Sequence, residues 1–153
     1  QSMGKGGKNM RIAVGSDHGG FQAKQVIIEH LRSRGLEAVD FGTDSEESCD
    51  YPDIAQPVAE AVRSGECTFG ILICGTGIGM SIAANKIKGI RAALCNDTFS
   101  ARMAREHNDA NILCLGARVL GLGLMLDIVD VYLNGSFVGG RHKTRVEKID
   151  ALD

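Results

Sequence analysis

Short runs of aliphatic and β-branched residues alternate along the chain with longer segments in which apolar residues recur at helical spacing. The short runs predict five strands, at residues 11–15, 38–41, 69–74, 90–95 and 112–115. The helical segments predict five helices, at about residues 20–34, 54–62, 82–86, 100–107 and 125–133. Because strands that alternate with helices pair in parallel through right-handed crossovers, the pattern predicts a three-layer α/β sandwich.

The two ends of the chain fall outside this alternation. Gln1-Ser2 in front of Met3 resembles a remnant of an expression tag, and we expect residues 1–9 to be disordered and residues 10–153 to form a single domain. The segment after Leu133 has no sixth strand pattern, so we expect a C-terminal tail that docks elsewhere, including on another subunit. Arg141 and Arg145 in this tail would share one face of a helix. Such a pair suits a phosphate clamp, although charges on a solvated tail look the same.

The composition is that of an ordinary globular domain, and it narrows the possible functions. Hydrophobic residues make up 44% of the 153 residues and charged residues 24%, which disfavours intrinsic disorder. The net charge of −2 leaves no broad basic field for a nucleic acid, although local positive charge can still bind a small anion. No apolar run approaches the ~20 residues of a membrane-spanning helix. The five cysteines lack the C-x-x-C spacing of zinc and redox sites. Cysteines without that spacing are typical of reduced thiols in a cytoplasmic protein.

The third predicted strand leads directly into the glycine-rich turn Cys74-Gly75-Thr76-Gly77-Ile78-Gly79. Glycines at alternate positions leave backbone N–H groups free to converge on an anion in front of the next helix. Known phosphate motifs fit poorly, because Met80 stands where the dinucleotide fingerprint needs Gly, a P-loop needs Lys and a cysteine-phosphatase loop needs Arg. A nucleotide site with Asp97 on the ribose remains open, and so does a turn that serves close packing alone.

Of the five cysteines, only Cys74 lies directly at the start of this turn. Backbone N–H donors and a helix N-terminus favour the thiolate, which is the form of cysteine that acts as a base or nucleophile. The other interpretation is a small buried hydrophobe, which is what we expect of Cys49, Cys67, Cys95 and Cys114.

Further polar residues follow the predicted strands, and open α/β sheets bind their ligands at the carboxyl ends of strands. Asp17-His18 follows the first strand and Arg118 the fifth. The helix after the fourth strand ends in His107-Asn108, which we place at the same edge as a candidate acid–base pair. Each of these residues could instead have a purely structural role. Asp17 could be a polar residue at the start of a helix, and His107 could interact with the dipole at the end of one. No His, Asp or Glu spacing indicates a metal site.

Five motifs occur in order along the chain. They are Gly15-Ser16-Asp17-His18-Gly19-Gly20-Phe21, Asp50-Tyr51-Pro52-Asp53, Ile71-Leu72-Ile73-Cys74-Gly75-Thr76-Gly77-Ile78-Gly79-Met80-Ser81-Ile82-Ala83-Ala84-Asn85-Lys86, His107-Asn108-Asp109-Ala110-Asn111 and Gly139-Gly140-Arg141-His142. Together they resemble type B ribose-5-phosphate isomerases, and the resemblance extends from about Met10 to Ile149. The wider family also contains allose-6-phosphate and galactose-6-phosphate isomerases. The sequence leaves the choice between pentose and hexose phosphates open.

The resemblance implies a metal-free aldose–ketose isomerase of the pentose phosphate pathway that needs no cofactor. It implies a Rossmann-like five-stranded parallel sheet. It also implies a homodimer, often paired into tetramers, whose active sites are built from both subunits and bind a sugar phosphate.

The resemblance also implies a role for each site residue. Cys74 would move the proton between C2 and C1, while Thr76 and His107 would handle ring opening. The residues that would bind the sugar and the enediolate oxygen are Asp17, Tyr51, Asn108, Gly75, Gly77, Ile78, Gly79 and Ser81. The residues that would surround the phosphate are His18, Arg118, Arg141 and Arg145. One branch of the family replaces the thiol with a Glu at the position of Met80, which cannot accept a proton, so the chain falls in the thiol branch.

Two functions of other classes stay open. A nucleotide-linked redox protein would use the glycine turn and Asp97, and binding of NAD would reveal it. A non-catalytic sugar-phosphate sensor would share the whole pocket with the enzyme, so only turnover separates the two.

Overall fold

The structure is a computed structural model that describes residues 10–153, and the predictions for residues 1–9 lie outside the described residues. Within that range five strands form one sheet: β1 (Arg11–Ser16), β2 (Glu37–Asp40), β3 (Phe69–Cys74), β4 (Ala92–Leu94) and β5 (Ile112–Gly116). Neighbouring strands are all parallel, in the order β2-β1-β3-β5-β4. The predicted five-stranded parallel sheet is therefore confirmed, with β3 at its centre.

Helices cover both faces of the sheet and make it the middle of three layers. One face carries α1 (Phe21–Ser33), α4 (Thr98–Glu106) and α5 (Leu122–Asn134), and the other carries α2 (Pro52–Arg63) and α3 (Ile78–Ala84). Side chains of β3 alternate between the two cores, with Ile71 and Ile73 on the first face and Leu72 and Cys74 on the second. Because both faces of this central strand are buried, its sequence is a continuous apolar run.

The predicted C-terminal helical tail is α6 (Arg141–Asp150), which lies at the amino end of β4. The Arg91 guanidinium donates to Asp150 over 3.0 Å, and the backbone N–H of Gly89 donates to Asp153 over 2.9 Å. Val146 is the one buried residue of this helix. None of the helices within residues 10–153 combines the length and apolar character needed to cross a membrane.

Two boundaries near β4 differ from the prediction. The strand begins at Ala92 because Arg91 turns toward Asn111, whose side chain accepts the Arg91 N–H over 2.8 Å. Helix α4 begins at Thr98 because the Asp97 carboxylate caps it, accepting the N–H of Ser100 over 2.6 Å and its hydroxyl over 3.0 Å. Asp97 therefore serves as a helix cap, and the nucleotide interpretation loses the acid that it needed.

Candidate active site

The thiol of Cys74 lies at the carboxyl end of the central strand, almost completely buried, and accepts a hydrogen bond from the loop that follows it. The backbone N–H of Gly77 donates to Cys74 Sγ over 3.1 Å. Gly77 has a φ of 82°, and a Cβ on it would lie 2.6 Å from Leu94 Cδ1 and 2.9 Å from the backbone of Leu115. Only glycine fits both the backbone conformation and the space. An N–H group aimed at the sulfur stabilises negative charge there.

The rest of the loop offers backbone donors beside this sulfur. The N–H groups of Gly75 and Thr76 have no acceptor among the described residues. The Ile78 N–H donates to Thr76 Oγ1 over 3.2 Å. Ser81 behaves differently, because its N–H donates to Gly77 O and its hydroxyl to Ile78 O, both in the first turn of α3. Donors that could meet an oxyanion are therefore available at the start of the loop, whereas Ser81 contributes neither of its hydrogens.

Asp17 and His18 form the adjoining wall. Asp17 is buried, its N–H donates to the carbonyl of Ile73, and its Oδ1 accepts the N–H of Gly19 over 3.0 Å at the start of a short 3-10 turn. A Cβ on Gly19 would lie 3.8 Å from the backbone nitrogen of Gly75, so this turn packs directly against the thiol loop. His18 is half-buried, and its Nδ1 accepts the N–H of Cys49 over 3.2 Å.

Tyr51 and Arg118 close the cluster from two other segments. The Tyr51 ring packs on Gly79, where a Cβ would lie 2.5 Å from the ring and 2.9 Å from its hydroxyl. The Arg118 side chain lies over Gly75, with Cδ 3.5 Å and Nε 3.7 Å from the position of a Cβ there. Its guanidinium forms no ion pair within residues 10–153, so its charge is available to an anion.

The structure therefore brings together one large part of the predicted site. That part comprises Cys74, Gly75, Thr76, Gly77, Ile78, Gly79, Asp17, His18, Tyr51 and Arg118. All of them lie at the carboxyl edge of the sheet, at the ends of β1, β3 and β5 or in the loops around them.

Four predicted residues, His107, Asn108, Arg141 and Arg145, lie at the opposite edge. His107 follows the last turn of α4, where its N–H donates to Met103 O over 2.8 Å, and Asn108 comes next. Nearby, the N–H of Asn111 donates to the carbonyl of Arg91 in front of β4. Our placement of His107 and Asn108 at the carboxyl edge is wrong, because a helix that joins two parallel strands must run back to their amino ends.

Arg141 and Arg145 accompany His107 through α6. The rings of His107 and His142 stack with centroids 3.9 Å apart and planes 7° apart. Both arginines are exposed and form no ion pair within the described part of the chain. Desolvation lowers the pKa of His142, and the positive charges of His107, Arg141 and Arg145 lower it further. Arg141 and Arg145 therefore add positive charge to this edge that no carboxylate within residues 10–153 pairs with.

Sequence reasoning missed two contacts of the site, the ring stack of His142 on His107 and the Cys49 N–H on His18. The second also corrects the expectation that Cys49 is a buried hydrophobe, because Cys49 is only half-buried whereas the other four cysteines are buried. Burial raises the pKa of Cys67, of Cys114 and, to about 11, of Cys95. These three thiols therefore stay protonated at neutral pH.

No three His, Cys, Asp or Glu side chains within residues 10–153 come close enough together to hold a metal ion. The polar groups around Cys74 are instead N–H donors, one carboxylate, one imidazole and one guanidinium. Such a set can bind an anion and hold negative charge on a substrate oxygen. That the reaction needs no metal stays a prediction.

Comparisons with known proteins agree with this architecture. The profile of a family described as Ribose/Galactose Isomerase matches residues 12–149. The chain is 53% identical over 143 residues to ribose-5-phosphate isomerase B of Escherichia coli, which covers 94% of this chain and 96% of the relative. It is 45% identical over 141 residues to a D-erythrulose-4-phosphate isomerase of Pectobacterium atrosepticum, covering 92% of this chain and 93% of the relative.

A solved structure gives the same result. The ribose-5-phosphate isomerase B of Clostridium thermocellum superposes with a TM-score of 0.93 at 62% identity, covering 94% of this chain and 97% of that one. The match spans the sheet, both helical layers and the loops that carry the candidate site. The chain therefore belongs to the ribose/galactose isomerase family.

Proposed function

We propose that this protein interconverts ribose 5-phosphate and ribulose 5-phosphate through an enediolate, with Cys74 as the base. The observation that carries the proposal is the hydrogen bond from the Gly77 N–H to Cys74 Sγ, beside the free N–H groups of Gly75 and Thr76. A carbon acid next to a carbonyl needs both a positioned base and donors where negative charge develops on oxygen. This loop supplies the two within four residues.

The proposed reaction begins on the open-chain aldose. The Cys74 thiolate removes the proton from C2, the electron pair forms the C1–C2 double bond, and the C1 carbonyl oxygen takes the negative charge. The N–H groups of Gly75 and Thr76 face that oxygen. The hydroxyl proton at O2 passes to O1, and the thiol returns the first proton to C1, which leaves the ketose with its carbonyl at C2. Protons and electrons balance without a metal or a cofactor.

In this proposal, the amino edge of a second copy of the chain supplies the ring-opening group and part of the phosphate site. Within one chain, Arg141, Arg145, His107 and Asn108 lie at the amino edge and Cys74 at the carboxyl edge. A homodimer in which each carboxyl edge meets the partner's amino edge brings all of them to one sugar phosphate. Asp17, Tyr51 and Asn108 then bind hydroxyls, and His18 and Arg118 join the two arginines at the phosphate.

Surface features around Asn108 support this arrangement. Clefts of about 520 Å³ and about 270 Å³ both include Asn108 on the outer side of β4. Phe99 and Leu152, which line these clefts, are 62% and 85% exposed, and Ile78 and Ile82 on α3 are exposed beside the thiol loop. Large apolar side chains that cluster on one face of a monomer are typical of a surface that another protein covers.

Complementation between inactive chains tests the shared site. We expect Cys74→Ala and His107→Asn to be inactive alone on ribose 5-phosphate, and co-expression to restore about a quarter of the wild-type activity. Half of a random mixture of dimers is mixed, and one of the two sites in each mixed dimer is intact. Cys74→Ala with Asp17→Asn is the matched control, since both changes fall in the same half and no mixed site is intact. Recovery in the control, or none in the test pair, would contradict a shared site.

Turnover of several sugar phosphates tests the substrate. The Pectobacterium relative is named for a four-carbon substrate, so D-erythrulose 4-phosphate is the second candidate beside allose 6-phosphate and galactose 6-phosphate. We expect the highest kcat/KM with ribose 5-phosphate. Binding of ribose 5-phosphate without any turnover would instead support a sensor. We also infer a cytoplasmic location, because five free cysteines suit a reducing compartment.

A further inference from the structure

His18 lines a cleft of about 370 Å³ at the carboxyl edge, and one of its ring nitrogens is already engaged. The cleft is bounded by the 3-10 turn, by α1 through Gln22, and by Glu46 and Ala117. The engaged nitrogen is Nδ1, which lies 3.2 Å from the backbone nitrogen of Cys49.

The direction of this hydrogen bond fixes the form of the ring. A backbone amide nitrogen always carries its hydrogen and can only donate, so Nδ1 must accept with its lone pair. An imidazole with an unprotonated Nδ1 is neutral and carries its one hydrogen on Nε2. In this geometry, a protonated His18 would instead place an N–H group against the N–H of Cys49.

The segment that carries Cys49 is held in place by contacts that need no ligand. Gln22 on α1 donates to Glu46 over 2.8 Å, and the buried ammonium of Lys24 donates to Asp40 over 2.7 Å. The N–H of Thr43 donates to the carbonyl of Ser16 over 2.7 Å. These contacts fix the part of the loop that precedes Cys49 without the help of a substrate.

We propose that the Cys49 N–H is a positioning group that holds His18 as the neutral Nε2–H tautomer, so that His18 gives the substrate one directed hydrogen-bond donor and no positive charge. This inference rests on the proposed function and refines the part that His18 plays in it. The positive charge that the phosphate needs then comes from Arg118, Arg141 and Arg145. Cys49 acts through its backbone, so its thiol is not required.

Nitrogen NMR of the uniformly ¹⁵N-labelled protein without substrate tests the tautomer directly. Two-bond proton–nitrogen correlations at about pH 8, where an ordinary imidazole is neutral, distinguish Nε2–H from Nδ1–H rings. The four histidines give few signals, and the set that disappears in His18→Gln belongs to His18. We expect a single Nε2–H form. An Nδ1–H ring, a mixture of tautomers or a doubly protonated ring at this pH would overturn the proposal.

A pair of substitutions tests whether the Cys49 amide is the cause. Cys49→Ala keeps the backbone N–H and should leave the His18 ring wholly in the Nε2–H form. Cys49→Pro has no N–H, and we expect a measurable Nδ1–H population in it. A wholly Nε2–H ring in Cys49→Pro would show that another contact sets the tautomer and would overturn the role of Cys49. If Cys49→Pro fails to fold, the wild-type spectrum still decides the tautomer.

Kinetics of two amide substitutions test what His18 does for the substrate. The amide nitrogen of Gln can take the place of Nε2, whereas that of Asn reaches only to Nδ1. We expect KM for ribose 5-phosphate to rise about threefold or less in His18→Gln and about tenfold or more in His18→Asn, in line with the loss of one hydrogen bond. Equal large rises in both would contradict a neutral Nε2–H donor. Since the NMR measurement needs no substrate, failure of the proposed function and failure of this inference are told apart.

Discussion

Cys74 and His107 lie at opposite edges of the sheet within one chain. Cys74 ends β3, while His107 follows α4, a nine-residue helix that runs back along the sheet over about 13 Å. The proposed base and the proposed ring-opening group are therefore too far apart to act on one pentose phosphate inside a single chain. The pair therefore makes the second subunit part of the proposed chemistry.

The first prediction concerns the direction in which His107 is needed. Ribose 5-phosphate arrives mainly as a furanose and must be opened, whereas ribulose 5-phosphate cannot close a stable five-membered ring and arrives open. We expect His107→Asn to reduce turnover of ribose 5-phosphate far more than turnover of ribulose 5-phosphate. Initial rates in both directions on one purified variant measure this, with its melting temperature as the control for folding. Equal losses in both directions would remove ring opening from the role of His107.

The second prediction concerns the arginines of α6. We expect Arg141→Ala or Arg145→Ala to raise KM for ribose 5-phosphate about ten- to hundredfold, because each removes a charge-assisted hydrogen bond to the phosphate. Added salt should partly reproduce the effect by screening. Lys143→Ala is the matched control, since Lys143 is exposed on the same helix but is assigned no contact. If an arginine variant had the same KM as Lys143→Ala, that arginine would be a solvated charge that does not bind the phosphate.

The third prediction concerns metals. Backbone N–H groups at the start of the thiol loop hold the enediolate charge in our account, so no cation is needed. We expect turnover to survive prolonged dialysis against EDTA. If activity were lost on dialysis and restored by one divalent ion, a metal ion and not the loop would hold the enediolate charge.

The fourth prediction concerns thiol reactivity. Burial keeps Cys67, Cys95 and Cys114 protonated, so iodoacetamide should reach only Cys49 and Cys74. In a Cys49→Ala background we expect inactivation with one adduct per chain, on Cys74, and slower labelling when ribose 5-phosphate is present. Peptide mass spectrometry locates the adduct. Inactivation with the adduct on any other cysteine would mean that the reactive thiol is not Cys74.

Much of the fold follows from local pattern. The five strands are short apolar runs, and the alternation with helices determines their parallel pairing. The errors include α3, which begins at Ile78 instead of near Ile82, and β4, where the hydrogen bonds of Arg91 to Asn111 and the cap formed by Asp97 move the boundaries by two residues. These contacts join residues that are distant in sequence or depend on backbone geometry, so periodicity does not reveal them.

The site divides in the same way. The thiol loop and Asp17-His18 are contiguous motifs at strand ends, and the sequence places them together. The stack of His142 on His107 and the amide of Cys49 on His18 join segments 35 and 31 residues apart, and no spacing rule relates them. The position of His107 was predictable from topology alone, because the end of a crossover helix lies at the amino edge.

The most direct measurement of the central claim compares two cysteines at opposite ends of β3. Cys74→Ala removes the proposed base, and Cys67→Ala makes the same chemical change at a buried position just before the strand. We expect Cys74→Ala to lose about 10²- to 10⁴-fold in kcat for ribose 5-phosphate with a melting temperature close to that of Cys67→Ala, which keeps its activity. If Cys74→Ala kept more than about a tenth of wild-type turnover, the thiolate would not be the base.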